Sequence, residues 1–178
     1  VGYEAATTNA IAARAAVPIG SLYQFFPNKS ALFNALAARY LAEVREAFGR
    51  IAGPSAEPLP LRALIDQVID GMGHFHGSRP GFESMMQVGR THAEHMVAVN
   101  ALLDEMVTRV AELLARHLRP DAANRQLVST VVVRVADALM VLAAQRGKRR
   151  PDPEVLTHLK AMLERYLTPL AVAAPGKG

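Results

Sequence analysis

GYEAATTNAIAARAAVPIGSLYQFFPNKSALF, residues 2–33, reads as two short helices and the start of a long one. Thr8 serves as the N-cap of the first, which runs to about Ala16 with Ile11, Ala12 and Ala15 on its apolar face. Val17 and Pro18 break it tightly. The second runs from Ile19 to Phe25, with Leu22 and Phe26 inward, four residues apart on one face. Asn28 then caps a helix from Lys29 to about Arg50, striped by Leu32, Leu36, Tyr40, Val44, Phe48 and Ile51 at helical period. Two short helices joined by a tight turn can place the second in a DNA major groove while the first braces it. The outer face of the second helix suits that use. Pro18, Ile19, Gly20, Ser21 and Gln24 are small or uncharged, so backbone and duplex can approach. Gln24 can pair with a base edge and Ser21 with a base or phosphate. Tyr23 and Lys29 fall where a phosphate would pass, Lys29 at a helix N-terminus.

Outward from this segment the chain stays helical. Hydrophobic residues make up 51% of 178 residues, enough to bury a core, and the Ala- and Leu-rich composition favours helix over sheet. The formal charge of +4 permits nucleic-acid binding without demanding it. There is no cysteine, which excludes disulfides, thiolate metal sites and cysteine nucleophiles. No signal peptide is visible, and the most apolar stretch, Leu127 to Ala144, carries Arg134 and Asp137. A cytoplasmic protein without a membrane span is therefore expected. A turn-rich connector at residues 53–58 marks a domain boundary, dividing the chain into residues 1–50 and 51–178. Leu61 to Met72 marks a helix, broken at residues 77–81. Thr91-His92-Ala93-Glu94 reads as a capping box opening a helix to about Leu118. Another starts at Pro120-Asp121 and ends near Gly147. Asp152 and Pro153 supply N-cap and N1 for the last.

The segment 2–33 resembles the DNA-binding motif of the TetR family. The resemblance rests on Gly2, Tyr3, Thr7, Thr8, Ile11, Ala12, Ala15, Val17, Gly20, Leu22, Tyr23, Phe26, Asn28, Lys29 and Leu32, all in register. It implies an all-α chain with an N-terminal helix-turn-helix domain and a C-terminal helical bundle for ligand binding and dimerisation. It implies that Thr8, beside Thr7, grips phosphate together with Tyr23 and Lys29. Residues around the start of the recognition helix (Pro18, Ile19, Gly20, Ser21 and Gln24) would meet bases. Two positions depart from the pattern: Ala16 stands where the turn ordinarily has glycine, and Pro18 where the recognition helix ordinarily has a Ser or Thr cap. A helix that ordinarily precedes Gly2 is expected to be missing from this sequence.

In the second part, the helix that ends near Gly147 is apolar nearly all round. Such a helix must be buried on both sides, one against its own domain and one against a partner. A homodimer is expected, through Val128, Val132, Val135, Leu139 and Leu142 of that helix. Leu159, Met162, Leu163 and Tyr166 of the last helix would join them. A two-fold dimer presents two reading helices to a near-palindromic double-stranded operator. Phe75, Phe82, Met85, Met86, Met96 and Met106 are expected to line an adaptable apolar pocket, with Arg90, His92, Asn100 and Gln87 offering polar contacts. The resemblance makes its occupant a small regulatory effector, so the expected function is a repressor released by a mainly apolar ligand. No metal site is expected, because His74 and His76 point to different helical faces and no carboxylate stands at diagnostic spacing from His92 and His95. No cofactor and no catalytic role are expected: there is no nucleophile–base pair and no phosphate-cradling glycine loop. The alternative is a helical ligand-binding or scaffold protein that has lost DNA binding.

Overall fold

Thr7, not Thr8, opens the first helix. In the computed structural model, which describes residues 3–52, 59–79, 81–119, 124–147 and 150–172, the Thr7 hydroxyl accepts from the Ala10 amide at 3.1 Å. Thr8 is the first helical residue of α1 (Thr8–Arg14), and its side chain is free for another partner. At the other end Ala16 has φ +55°, the left-handed region that L side chains disfavour. Its amide donates to the Ala13 carbonyl, and that of Val17 to Ala12. This is the Schellman arrangement that ordinarily ends on glycine. The turn residue singled out in the sequence is thus the strained one.

α2 (Ile19–Phe25) follows, with Pro18 at its N-cap and no side-chain cap bond. Asn28 does cap α3 (Lys29–Ala52): its Oδ1 accepts from the Ala31 amide at 2.8 Å. The remaining helices are α4 (Leu61–Ser78), α5 (Phe82–Thr91), α6 (Ala93–Leu114), α7 (Arg125–Arg146) and α8 (Pro153–Leu167), with a 3-10 turn at Thr168–Leu170. No strand occurs among the described residues; one isolated bridge pairs Leu118 with Ala171.

The chain divides into two compact units. The first comprises residues up to Val44 with Gly81–Leu103. Ala12, Leu22, Phe33, Ala37 and Tyr40 are buried there with Phe82, Met85, Met86 and Val99. Tyr40 meets Phe82 edge to face, ring centroids 5.0 Å apart. Gly89 of α5 lets α6 approach closely, since a Cβ there would lie 2.0 Å from Val99 Cγ2. The second unit comprises Arg45–Pro80 and the chain from Asp104 onward. In it α4, α7 and α8 pack on one another. Asp152 caps α8 through the Glu154 amide at 2.9 Å and is itself held by Arg146 at 2.8 Å. That bond holds the Asp152 carboxyl below the usual carboxylate range.

Three expected boundaries move. Thr91 closes α5 rather than opening α6: its hydroxyl donates to the carbonyls of Gln87 and Val88. α6 ends at Leu114, four residues early. α7 starts at Arg125, where the Asn124 side chain accepts from Gln126 and Leu127. The start expected at Pro120-Asp121 and the connector at 53–58 lie outside the described residues. α7 is also long and apolar enough to cross a membrane, with a mean hydropathy of 2.0. Its Val128, Val132, Val133, Ala136, Met140 and Ala143 are buried in the second unit, and a core helix has that same hydropathy.

The left-handed turn is testable. Ala16→Gly should raise the unfolding free energy by about 0.5–1 kcal/mol, because the relief of strain (~1–2 kcal/mol) exceeds the added freedom of the unfolded chain. Urea unfolding of both variants measures it; an unchanged or lower midpoint would contradict a strained turn.

Candidate DNA-reading surface and the cavity of the second unit

The first unit presents α2 outward. Leu22, 8% exposed, is its single fully buried residue. Its remaining side chains fall on the outside in pairs four apart: Ile19 with Tyr23, Gly20 with Gln24, Ser21 with Phe25. A Cβ on Gly20 would meet nothing within 4 Å, so the backbone there is open to a close neighbour. No charge lies on this face, and hydroxyl, amide and apolar groups alternate along it. Those are the types that read base edges and thymine methyls.

Thr8 and Tyr23 meet at the edge of this surface, hydroxyl to hydroxyl at 2.9 Å. Two hydroxyls carry two protons, and their mutual bond uses one. The other remains free to donate to an anion at an exposed point. Lys29, expected to meet a phosphate, also has partners within the first unit. It is half-buried, and its ammonium donates to the Tyr3 carbonyl at 2.9 Å and lies 4.1 Å over the Tyr3 ring. It braces the turn before α1, and that bond uses one of the three N–H groups of its ammonium.

Sequence reading passed over Phe25. It is 77% exposed, more than any other large apolar residue of the first unit except Val97. Its neighbour Phe26, placed inward by its spacing from Leu22, is only half-buried: α2 ends before it and its backbone turns extended (φ −133°). The usable signal was that Phe25 lies four residues after Ser21, on the outer face.

The residues expected to form a ligand pocket divide between the two units. Phe75 and Met106 belong to the second unit and the other eight to the first. Phe82 and Met86 fill the first unit's core, while Arg90, Met96 and Asn100 are exposed. Phe75 carries the Arg79 guanidinium 3.8 Å over its ring. His92 lies in the break between α5 and α6, bonded to Glu4. Met85 lines an open hollow of about 370 Å³ in the first unit, with Lys29, Leu32 and Phe33 among its walls. Met106 alone lines the cavity of the second unit. That cavity holds about 40 Å³ between α3, α4, α6, α7 and α8, and its walls include Phe48, Ile69, Met72, Leu113, Val132 and Ala136. Every lining residue is apolar. Sequence spacing missed it because its walls come from five helices distant in the chain.

The dimer set also divides. Val128, Val132, Leu159 and Leu163 are buried within the second unit's own core, so they form no free face. Leu142, Met162 and Tyr166 stay exposed at 42%, 45% and 39%, and Leu127, not singled out in the sequence, at 58%. Val135 and Leu139 are half-buried.

The two short helices, the tight turn between them and the outward-facing α2 form a helix-turn-helix. Comparison with known proteins makes the class specific. Residues 1–36 match the model for bacterial regulatory proteins of the tetR family, and residues 60–167 the tetracyclin repressor-like C-terminal domain. The chain belongs to the TetR family. A TetR-family transcriptional regulator from Streptomyces coelicolor superposes with a TM-score of 0.65 at 28% identity, over 96% of this chain and 90% of that one. The TetR-family regulator PfmR of Thermus thermophilus, at 15% identity, gives 0.66 over 91% and 90%. SmeT, solved in complex with triclosan, gives 0.69 at 18% identity over 98% and 88%. No curated protein matches the chain in sequence.

Proposed function

We propose that this TetR-family regulator is a homodimeric repressor that binds a near-palindromic operator and is released by a small apolar effector. The observation that carries the reading is the outer face of α2. One buried residue holds the helix, and Ile19, Gly20, Ser21, Gln24 and Phe25 stand open to a groove. In this reading Gln24 and Ser21 contact base edges, Ile19 and Phe25 meet thymine methyls, and Pro18 lets the helix start approach the duplex. Thr8 and Tyr23, with Thr7 beside them, take a phosphate. Lys29 adds charge from behind the turn. Residues 1–50 form the reading domain and residues 51–178 the ligand-binding and dimerisation domain of a cytoplasmic protein.

The exposed apolar residues of α7 and α8 support the dimer: Leu127, Leu142, Met162 and Tyr166 face outward on two packed helices. The purely apolar cavity supports the effector class. Its lining offers no hydrogen bond, so an uncharged hydrocarbon-like or aromatic compound fits its chemistry, and SmeT is known with triclosan bound. Such a ligand releases DNA only if it binds the released state more tightly than the DNA-bound one.

Three outcomes follow from this reading. Binding to DNA from upstream of the chain's own gene should be sequence-selective with a steep salt dependence. Tyr23→Phe should weaken it by about 1 kcal/mol, and Lys29→Ala should lower the salt slope by about one. Binding indifferent to sequence would favour the scaffold alternative. Tyr166→Asp with Met162→Glu should turn a dimer into a folded monomer in sedimentation; an unchanged mass would place the interface elsewhere. Small aromatic compounds should raise the melting temperature and weaken operator binding in the same concentration range. Ala136→Val, which fills the cavity, should abolish both effects; an effect that survives it would put the effector site elsewhere.

A further inference from the structure

His92 and His95 lie three residues apart at the junction of α5 and α6, and their surroundings are opposite. The His92 ring is held by acceptors on both sides. Nδ1 lies 3.1 Å from the Val88 carbonyl and 2.9 Å from the Thr91 hydroxyl, and Nε2 lies 2.5 Å from Glu4 Oε1. A neutral imidazole has one N–H and can serve only one side; the imidazolium serves both. The bond to Glu4, then that to Val88, lifts His92 above the ordinary value of 6.5, and Glu4 is correspondingly held below its own.

His95 is fully buried. Its Nε2 lies 2.6 Å from the Tyr3 hydroxyl and 3.2 Å from Glu94 Oε1, and its ring stacks on Phe33 with centroids 3.9 Å apart. Nδ1 meets no donor or acceptor among the described residues. Protonation would place an N–H there with nothing to accept it, so the site favours the neutral ring. Burial pushes His95 below 6.5; Glu94 opposes that, and His92 and Lys29 reinforce it.

Both rings grip one turn, Tyr3 and Glu4, which leads directly into α1. Charged and titratable groups face the rings from each packed element: Tyr3 and Glu4 from the turn, Lys29 from α3 and Glu94 from α6. α5 supplies the Val88 carbonyl and the Thr91 hydroxyl.

We propose that His92 and His95 form a two-sided pH latch on the turn that carries the DNA-reading helices, engaged when His92 is charged and His95 is neutral. The two limbs have opposite signs. His92 is raised, so its stabilisation is complete below 6.5 and is lost as pH rises through its folded value. His95 is lowered, so its stabilisation is complete above 6.5 and is lost as pH falls toward its folded value. The latch is therefore strongest near 6.5 and weakens on both sides. Its effect on operator affinity rests on the DNA-binding reading; its effect on stability does not.

The test uses the full chain with three readouts across pH 5–9: histidine ring resonances, melting temperature and operator affinity. The two rings should titrate on opposite sides of 6.5, and stability and affinity should both peak between. Each limb should lower affinity by roughly three- to tenfold. Glu4→Gln, at an exposed side chain, should remove the alkaline limb alone. His95→Phe should remove the acid limb alone; should it fail to fold, Tyr3→Phe should shift the acid limb instead. Rings titrating together, limbs that persist in the variants, or an operator affinity flat across a peaked stability profile would each overturn the latch. Absence of selective DNA binding at every pH would refute the repressor reading, leaving the melting profile to decide the latch.

Discussion

α2 is held by one buried leucine. α2 has seven residues, too few to be stable as an isolated helix, and only Leu22 is fully buried. Everything else that fixes it comes from its flanks. The left-handed turn at Ala16 sets its angle to α1, the Thr8–Tyr23 bond ties the two together, and the Asn28 cap starts α3 just beyond. This economy leaves the outer face free for a ligand as large as a duplex. It also makes the head dependent on the turn before α1, where Tyr3 packs edge to face on Phe33, its ring centroid 6.0 Å away.

The fold class and the two short helices were legible because their signals are local: Asn28 and Asp152 cap the helices that their positions announce, and Ala16 carries the backbone geometry of the glycine it replaces. Adjacent candidates were harder. Thr7 and Thr8 are chemically equal, and only geometry shows that one caps while the other meets Tyr23. Thr91 has the right neighbour at Glu94 for a capping box, yet its hydroxyl is satisfied by the carbonyls of the preceding helix.

α7 shows a different limit. A helix apolar all round has no stripe, so its sequence announces burial without saying which face meets which neighbour. Val128 and Val132 proved to be core, while Leu127 and Leu142 lie outward. The expected pocket set divides between the two units for a related reason. Methionines and aromatics in consecutive helices look like one lining, but α5 and the first half of α6 belong to one compact unit and the second half of α6 to the other. The cavity draws between one and five residues from each of five helices, a pattern no single window of sequence contains.

The histidine pair joins these two lessons. On one continuous helix His92 and His95 would share a face and a similar environment. The break between Thr91 and Ala93 removes His92 from the helix, so the same spacing yields one ring with partners on both nitrogens and one, stacked on Phe33, with partners on Nε2 alone. Two groups of one chemical type then have their proton affinities pushed in opposite directions, which a shared face would not produce. What the sequence could not show was the helix break, and the break separates their charge preferences.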